Sequence, residues 1–125
     1  MGPLYGITMT TITYADAVSD PSQLARNPQT SPDSPELSRC WIQGESVRQL
    51  PTLQGIPIAI VIGQASYFAR TSHCISKYLT QAGVANDLIR LENVGIFGNG
   101  HMMMLEKNNI EIAGVMSRWL AKNVR

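Results

Sequence analysis

The 125-residue sequence is poor in cysteine, poor in charge and without a long apolar run. Its two cysteines, Cys40 and Cys74, are too few for a disulfide framework or a four-ligand zinc site. Ten basic residues face nine acidic ones, and only 15% of the chain is charged. A formal charge of +1 provides neither a broad basic field for nucleic acid nor an acidic tail. No apolar stretch reaches the roughly 18 residues that a membrane span needs. The opening Met1-Gly2-Pro3-Leu4-Tyr5-Gly6 lacks the basic and apolar regions of a secretory signal, and glycine at position 6 breaks the myristoylation pattern. These absences predict a cytoplasmic protein with no nucleic-acid or membrane partner. What is present is a hydrophobic content of 44%, too high for a disordered chain and sufficient for one small core.

The apolar residues are unevenly spread. Prolines with polar neighbours crowd residues 19–54, as in Ser19-Asp20-Pro21-Ser22 and Asn27-Pro28-Gln29-Thr30-Ser31-Pro32-Asp33-Ser34-Pro35. Proline removes a backbone donor and pushes its predecessor towards extended geometry. Residues 1–52 therefore read as an irregular lid-like or linker-like segment. The β-branched stretch from Gly6 to Tyr14 is its one edge-strand candidate. Residues 53–125 read as the folded part.

Within that part, Ile56-Pro57-Ile58-Ala59-Ile60-Val61-Ile62 is a continuous apolar run, the pattern of a strand buried on both faces of a parallel sheet. Thr71 or Ser72 is placed to cap a helix that runs to about Ala82 and stops at Gly83. Leu88-Ile89-Arg90-Leu91-Glu92 reads as a second strand, and Asn93 to Met104 as a glycine-rich loop. Ile112, Val115, Met116, Trp119 and Leu120 fall on one helical stripe, with Trp119 in the core and Gly114 marking close packing on the sheet. Strand, helix, strand, loop, helix is a βαβ crossover with a helix appended, so the class is α/β. So few strands leave open edges, which makes the chain resemble the tail of a larger α/β sheet.

The strongest chemical feature is Gly95-Ile96-Phe97-Gly98-Asn99-Gly100-His101-Met102-Met103-Met104. A histidine just past the carboxyl end of a parallel strand stands where open α/β sheets build their sites, and its pKa suits proton transfer. The alternative is an ordinary loop histidine. Met102 and Met103 are candidates for an apolar substrate wall or for packing under the loop. At His73-Cys74 a buried structural cysteine is favoured over a reactive thiolate. Trp41 is placed either to pack a lid or to touch a ligand.

The runs Leu53-Gln54-Gly55-Ile56-Pro57 through Gly63-Gln64-Ala65-Ser66-Tyr67, then His73-Cys74, Gln81-Ala82-Gly83-Val84, and Gly98-Asn99-Gly100-His101-Met102-Met103-Met104-Leu105-Glu106-Lys107-Asn108-Asn109, resemble the C-terminal third of fungal α/β-hydrolases. The resemblance covers about residues 40–122. It implies the C-terminal portion of an α/β-hydrolase parallel sheet and assigns His101 the role of general base in a Ser–His–acid triad. It also implies an ester-like small-molecule substrate and a setting in fungal secondary metabolism. The serine elbow Gly-x-Ser-x-Gly is not in this sequence: Gly44-Glu45-Ser46-Val47-Arg48 lacks its final glycine. Where the family's acid is expected, this sequence has Gln64, Ser66 and Ser72, and Glu92 is the nearest remaining carboxylate. The expectation is a truncated hydrolase that is inactive alone. The alternative is a non-catalytic module, or pseudoenzyme, that pairs an exposed sheet edge with a full-length relative or with itself. No cofactor is implied. No metal is either, because His73 is the only other histidine.

Overall fold

Two pairs of strands and two helices organise the computed structural model, which describes residues 13–125. The strand expected from Gly6 to Tyr14 falls almost entirely outside those residues.

The first strand pair corrects the expectation of an irregular start. Arg26–Pro28 (β1) and Trp41–Gln43 (β2) run antiparallel, with Asn27 opposite Ile42. Pro28 is tolerated because β1 has no partner on its other side among the described residues. Side-chain amides extend this short ladder. Gln29 accepts a bond from the Cys40 backbone at 2.8 Å. Gln43, although buried, accepts from Arg48 N at 2.9 Å and donates to Arg48 O at 3.1 Å.

The segment read as lid or linker is tied into the core. Tyr14, Leu24 and Leu50 pack with Tyr78, Leu79, Ala82 and Val84 in one buried cluster. Inside it the Tyr14 and Tyr78 hydroxyls lie 2.6 Å apart.

The second strand pair is parallel. Ala59–Ile62 (β3) aligns with Asp87–Arg90 (β4) in the register Ala59↔Asp87 to Ile62↔Arg90, and the helix His73–Gln81 (α1) lies between them in sequence. Both strands are shorter than the apolar runs suggested. The ladder begins only after Pro57, which has no N–H to give, while Leu91 and Glu92 leave the strand to form the 3-10 turn Leu91–Val94. Ser72 occupies the N-cap position of α1 without bonding it through its hydroxyl. Gly83 ends the helix as expected, at φ 75°. Burial on both faces is not reached: Ala59, Ile60 and Val61 are half-buried, and β3 and β4 form a two-stranded sheet among the described residues.

The last helix, Asn109–Asn123 (α2), buries only part of its stripe. Ile112 and Val115 join Leu91, Ile96 and Met103 in a second core cluster, against Val61 and Ile89. Trp119 corrects the reading as core: it is half-buried, and its indole N–H donates to Asp87 at 2.6 Å. Gly114 meets no sheet. A Cβ there would approach only Arg118 of the same helix. No helix among the described residues is long and apolar enough to cross a membrane.

A disulfide joins Cys40 to Cys74, with Cα atoms 5.2 Å apart; the sequence reading foresaw no disulfide framework and only a structural cysteine at His73-Cys74. Cys40 directly precedes β2 and Cys74 lies in the first turn of α1, so the packing of those two elements brings them together. The sequence separation of 34 residues hides that proximity. Closing a loop of that length restricts the unfolded chain and stabilises the fold by about 3–4 kcal/mol. Replacing both cysteines by serine should lower the unfolding free energy by about that amount in denaturant titration; a change below about 1 kcal/mol would show that this bridge constrains little.

Candidate active site

Parallel pairing sends the carboxyl ends of β3 and β4 to the same side of the sheet, so the loops that follow them meet. The first loop is Gly63–Phe68 and the second runs from Gly95 to His101. Ala65 N donates to Asn99 O at 2.9 Å, and Gly98 N donates to Gln64 Oε1 at 3.0 Å. Gly63 allows this approach: a Cβ there would collide with the carbonyls of Asn99 and Gly100. Gly98 adopts φ 78°, a left-handed geometry that glycine takes without strain.

A polar cluster holds the second loop from below. Asn99 is 2% exposed. Its amide nitrogen donates to both Glu106 Oε2 and Asn108 Oδ1, and its carbonyl oxygen accepts from Asn108 Nδ2 at 2.9 Å. The other Glu106 oxygen accepts from Gly100 N at 2.8 Å. Both carboxylate oxygens thus bind the two residues that immediately precede His101. Sequence reasoning missed this function and named Glu106 only within the stretch that carries the family resemblance. The available signal was three polar side chains set among methionines and isoleucines, since a buried amide must find partners.

His101 is half-buried and makes no side-chain hydrogen bond among the described residues. Its ring lies 4.6 Å from Tyr67 and 5.0 Å edge-on to Phe68, measured between centroids. On one side it opens into an apolar groove of about 590 Å³, lined also by Val61, Met103, Met104, Ile110 and Met116. Around it Tyr67 is 71% exposed and Ile110 80%, so apolar surface faces outward beside the imidazole.

The other predicted site residues are dispersed. Met103 is buried and lines the groove, whereas Met102 is exposed and does not; Met104 takes that place. Gln64 lies beside the histidine loop and spends its carbonyl oxygen on Gly98. Glu92 pairs with Arg90 at 2.7 Å, and its second oxygen is buried without a hydrogen bond. No hydrogen bond joins Glu92 or Gln64 to His101. Glu92 and Gln64 do line one common cleft, together with Arg90 and Ala69.

A second cluster of chemical groups lies elsewhere. His73 is 6% exposed, and its Nε2 is 3.2 Å from Cys40 Sγ and 3.7 Å from Cys74 Sγ. These three residues bring donor atoms close enough to hold a metal ion. The sulfurs are bonded to each other, however, and in that state present no thiolate to a metal.

The sequence is 45% identical over 85 residues to the "Probable secreted lipase phiG" of Fungal sp. (strain ATCC 74256), a match covering 68% of this chain. The match spans 23% of that relative's length. No family model matches the chain, and no solved structure matches it. The similarity supports a partial, lipase-like, hydrolase-type relative. It overturns the cytoplasmic expectation, because that relative is described as secreted.

Loop placement by Gly63 and Asn99 is open to measurement. Gly63→Ala should force the two loops apart and change the amide signals of Gly98 and Gly100 in NMR spectra. Asn99→Leu should destabilise the fold by about 1–3 kcal/mol, because Glu106 and Asn108 lose a buried partner. Unfolding midpoints unchanged in Asn99→Leu would mean that the cluster holds nothing in place.

Proposed function

We propose that this chain carries the histidine-bearing, C-terminal portion of an α/β-hydrolase sheet whose whole protein cleaves an ester of an apolar acid by acyl transfer. The observation that carries this reading is the 45% identity to a probable secreted lipase. The position of His101, at the carboxyl end of a parallel strand pair and beside an apolar groove, supports it. In this reading His101 takes the proton from a serine hydroxyl as that oxygen attacks the ester carbonyl, then returns it to the leaving alcohol. Tyr67 and Phe68 hold the ring at the groove mouth, and Met103 and Met104 contact the acyl chain. The serine belongs to an elbow motif that these 125 residues do not contain, so they do not turn over ester alone.

The acid of the triad is assigned to the neighbourhood of Gln64. Glutamine can orient an imidazole by accepting its N–H, but it supplies no negative charge to an imidazolium. Glu92 is the second candidate and would have to turn from Arg90 towards the ring. An oxidising extracellular setting fits the disulfide.

The test uses a chimera in which this chain replaces the matching segment of the lipase. Hydrolysis of p-nitrophenyl esters by the chimera should fall by about 10⁴-fold or more in His101→Ala. Gln64→Glu should raise it by about 10²-fold or more, since a carboxylate then faces the imidazolium. Activity that survives His101→Ala would refute the assignment of the base, and a rise with Glu92→Gln would exclude Glu92 as the acid.

A second reading is favoured by one observation, the two-stranded parallel sheet with open edges among the described residues. In it the chain is a non-catalytic module that adds its sheet edge to a full-length relative or to a second copy. Sedimentation of the chain as a concentration-independent monomer, without binding to the lipase, would rule that reading out.

A further inference from the structure

The cleft on the opposite strand pair is not used by the proposed ester chemistry. It holds about 660 Å³ and is lined by Arg26, Arg39, Trp41, Thr71, Ile75 and, at one side, Cys74. That volume suits a small molecule. Arg26 and Arg39 are exposed, and neither takes part in an ion pair among the described residues. Trp41 is 62% exposed and offers an uncovered apolar wall. Cationic side chains, an aromatic face and a disulfide sulfur therefore share one concave surface.

The two sulfurs differ in surroundings. Cys40 is buried, at 1% exposure, and its Sγ is the sulfur nearer to His73 Nε2. Cys74 is half-buried and belongs to the cleft. The buried His73 ring has no partner at Nδ1 and only the two sulfurs at Nε2. A neutral imidazole that carries its proton on Nε2 directs its single donor at sulfur and leaves Nδ1 as a bare lone pair.

We propose that this cleft is a modification site, where a small thiol bearing a carboxylate exchanges with the disulfide and remains on Cys74. The thiolate of the incoming molecule forms a bond to Cys74 Sγ, and the electron pair of the Cys40–Cys74 bond leaves on Cys40 Sγ. The exchange conserves electrons: one disulfide is replaced by a mixed disulfide and one thiolate. His73 Nε2–H donates to the sulfur on which charge develops, which lowers the cost of expelling it into a buried site. Arg26 and Arg39 attract the carboxylate and set the preference for an anionic thiol over a neutral one of equal size. Opening the bond removes the covalent tie between α1 and the residue before β2, while the hydrogen bonds between Gln43 and Gln81 still join the two elements.

The experiment compares 3-mercaptopropionate with 2-mercaptoethanol on the full chain, at equal thiolate concentration and low ionic strength. Samples are quenched with acid, and the adduct is located by peptide mass. The expected result is a mixed disulfide on Cys74, formed at least about fivefold faster by the carboxylate, the size of one well-placed charge pair in water. The exposed double variant Arg26→Ala/Arg39→Ala should lose that preference and keep the 2-mercaptoethanol rate within about twofold. His73→Phe should slow both thiols about tenfold, and His73→Gln, which restores a donor, should recover part of the rate. An adduct on Cys40, equal rates for the two thiols, or a preference that survives removal of both arginines would overturn the proposal.

Discussion

The parallel pairing of β3 with β4 is the constraint on which the site depends. In an antiparallel pair the loops after the two strands would emerge at opposite ends. Here they emerge together, and only a residue without a side chain at position 63 lets them touch. The contact is made through main-chain groups and one amide, so it fixes the backbone around Asn99 and Gly100 more than it fixes any side chain. His101 inherits its place from that backbone. The aromatic rings of Tyr67 and Phe68 then settle the imidazole plane from the first loop.

Such a loop needs support from below as well as from beside. Glu106 provides it by accepting from the Asn99 side-chain amide and from the N–H of the Asn99–Gly100 peptide, and Asn108 bonds both ends of the Asn99 side chain. A carboxylate with two occupied oxygens, next to a buried amide with both ends satisfied, is costly to break, because each group would be left without water or partner. The rigidity is therefore local and polar, while Ile96, Met103, Ile112 and Val115 supply the apolar platform under it.

Part of this was legible in the sequence because it depends on short-range pattern. The strand–helix–strand order followed from an apolar run, a glycine stop and a second run, and His101 stood out because glycines precede it just past a strand. What could not be read depends on separation in space. Cys40 and Cys74 are distant in sequence, and β2 is three residues long inside a proline-rich stretch, so no periodicity announced that they meet. Leu24 and Leu50 looked isolated among polar neighbours, yet each fills the core beside α1. Trp119 followed the helical stripe and still came to the rim, because the half-buried sheet beside it offers Asp87 rather than an apolar wall. Periodicity reports which face of a helix is apolar, not how far the neighbouring layer extends.

The chain's two histidines lie in different surroundings. His101 stands beside exposed Tyr67, at a mostly apolar groove that exposed Ile110 also lines. His73 begins α1, the helix between β3 and β4, and is buried against the disulfide. An imidazole proposed to transfer protons must reach solvent or substrate, and half-buried His101 is open enough for that. An imidazole that steadies a sulfur must be kept from solvent, and His73 is. The two histidines thus differ in burial and in what they touch, aromatic rings for one and sulfur for the other.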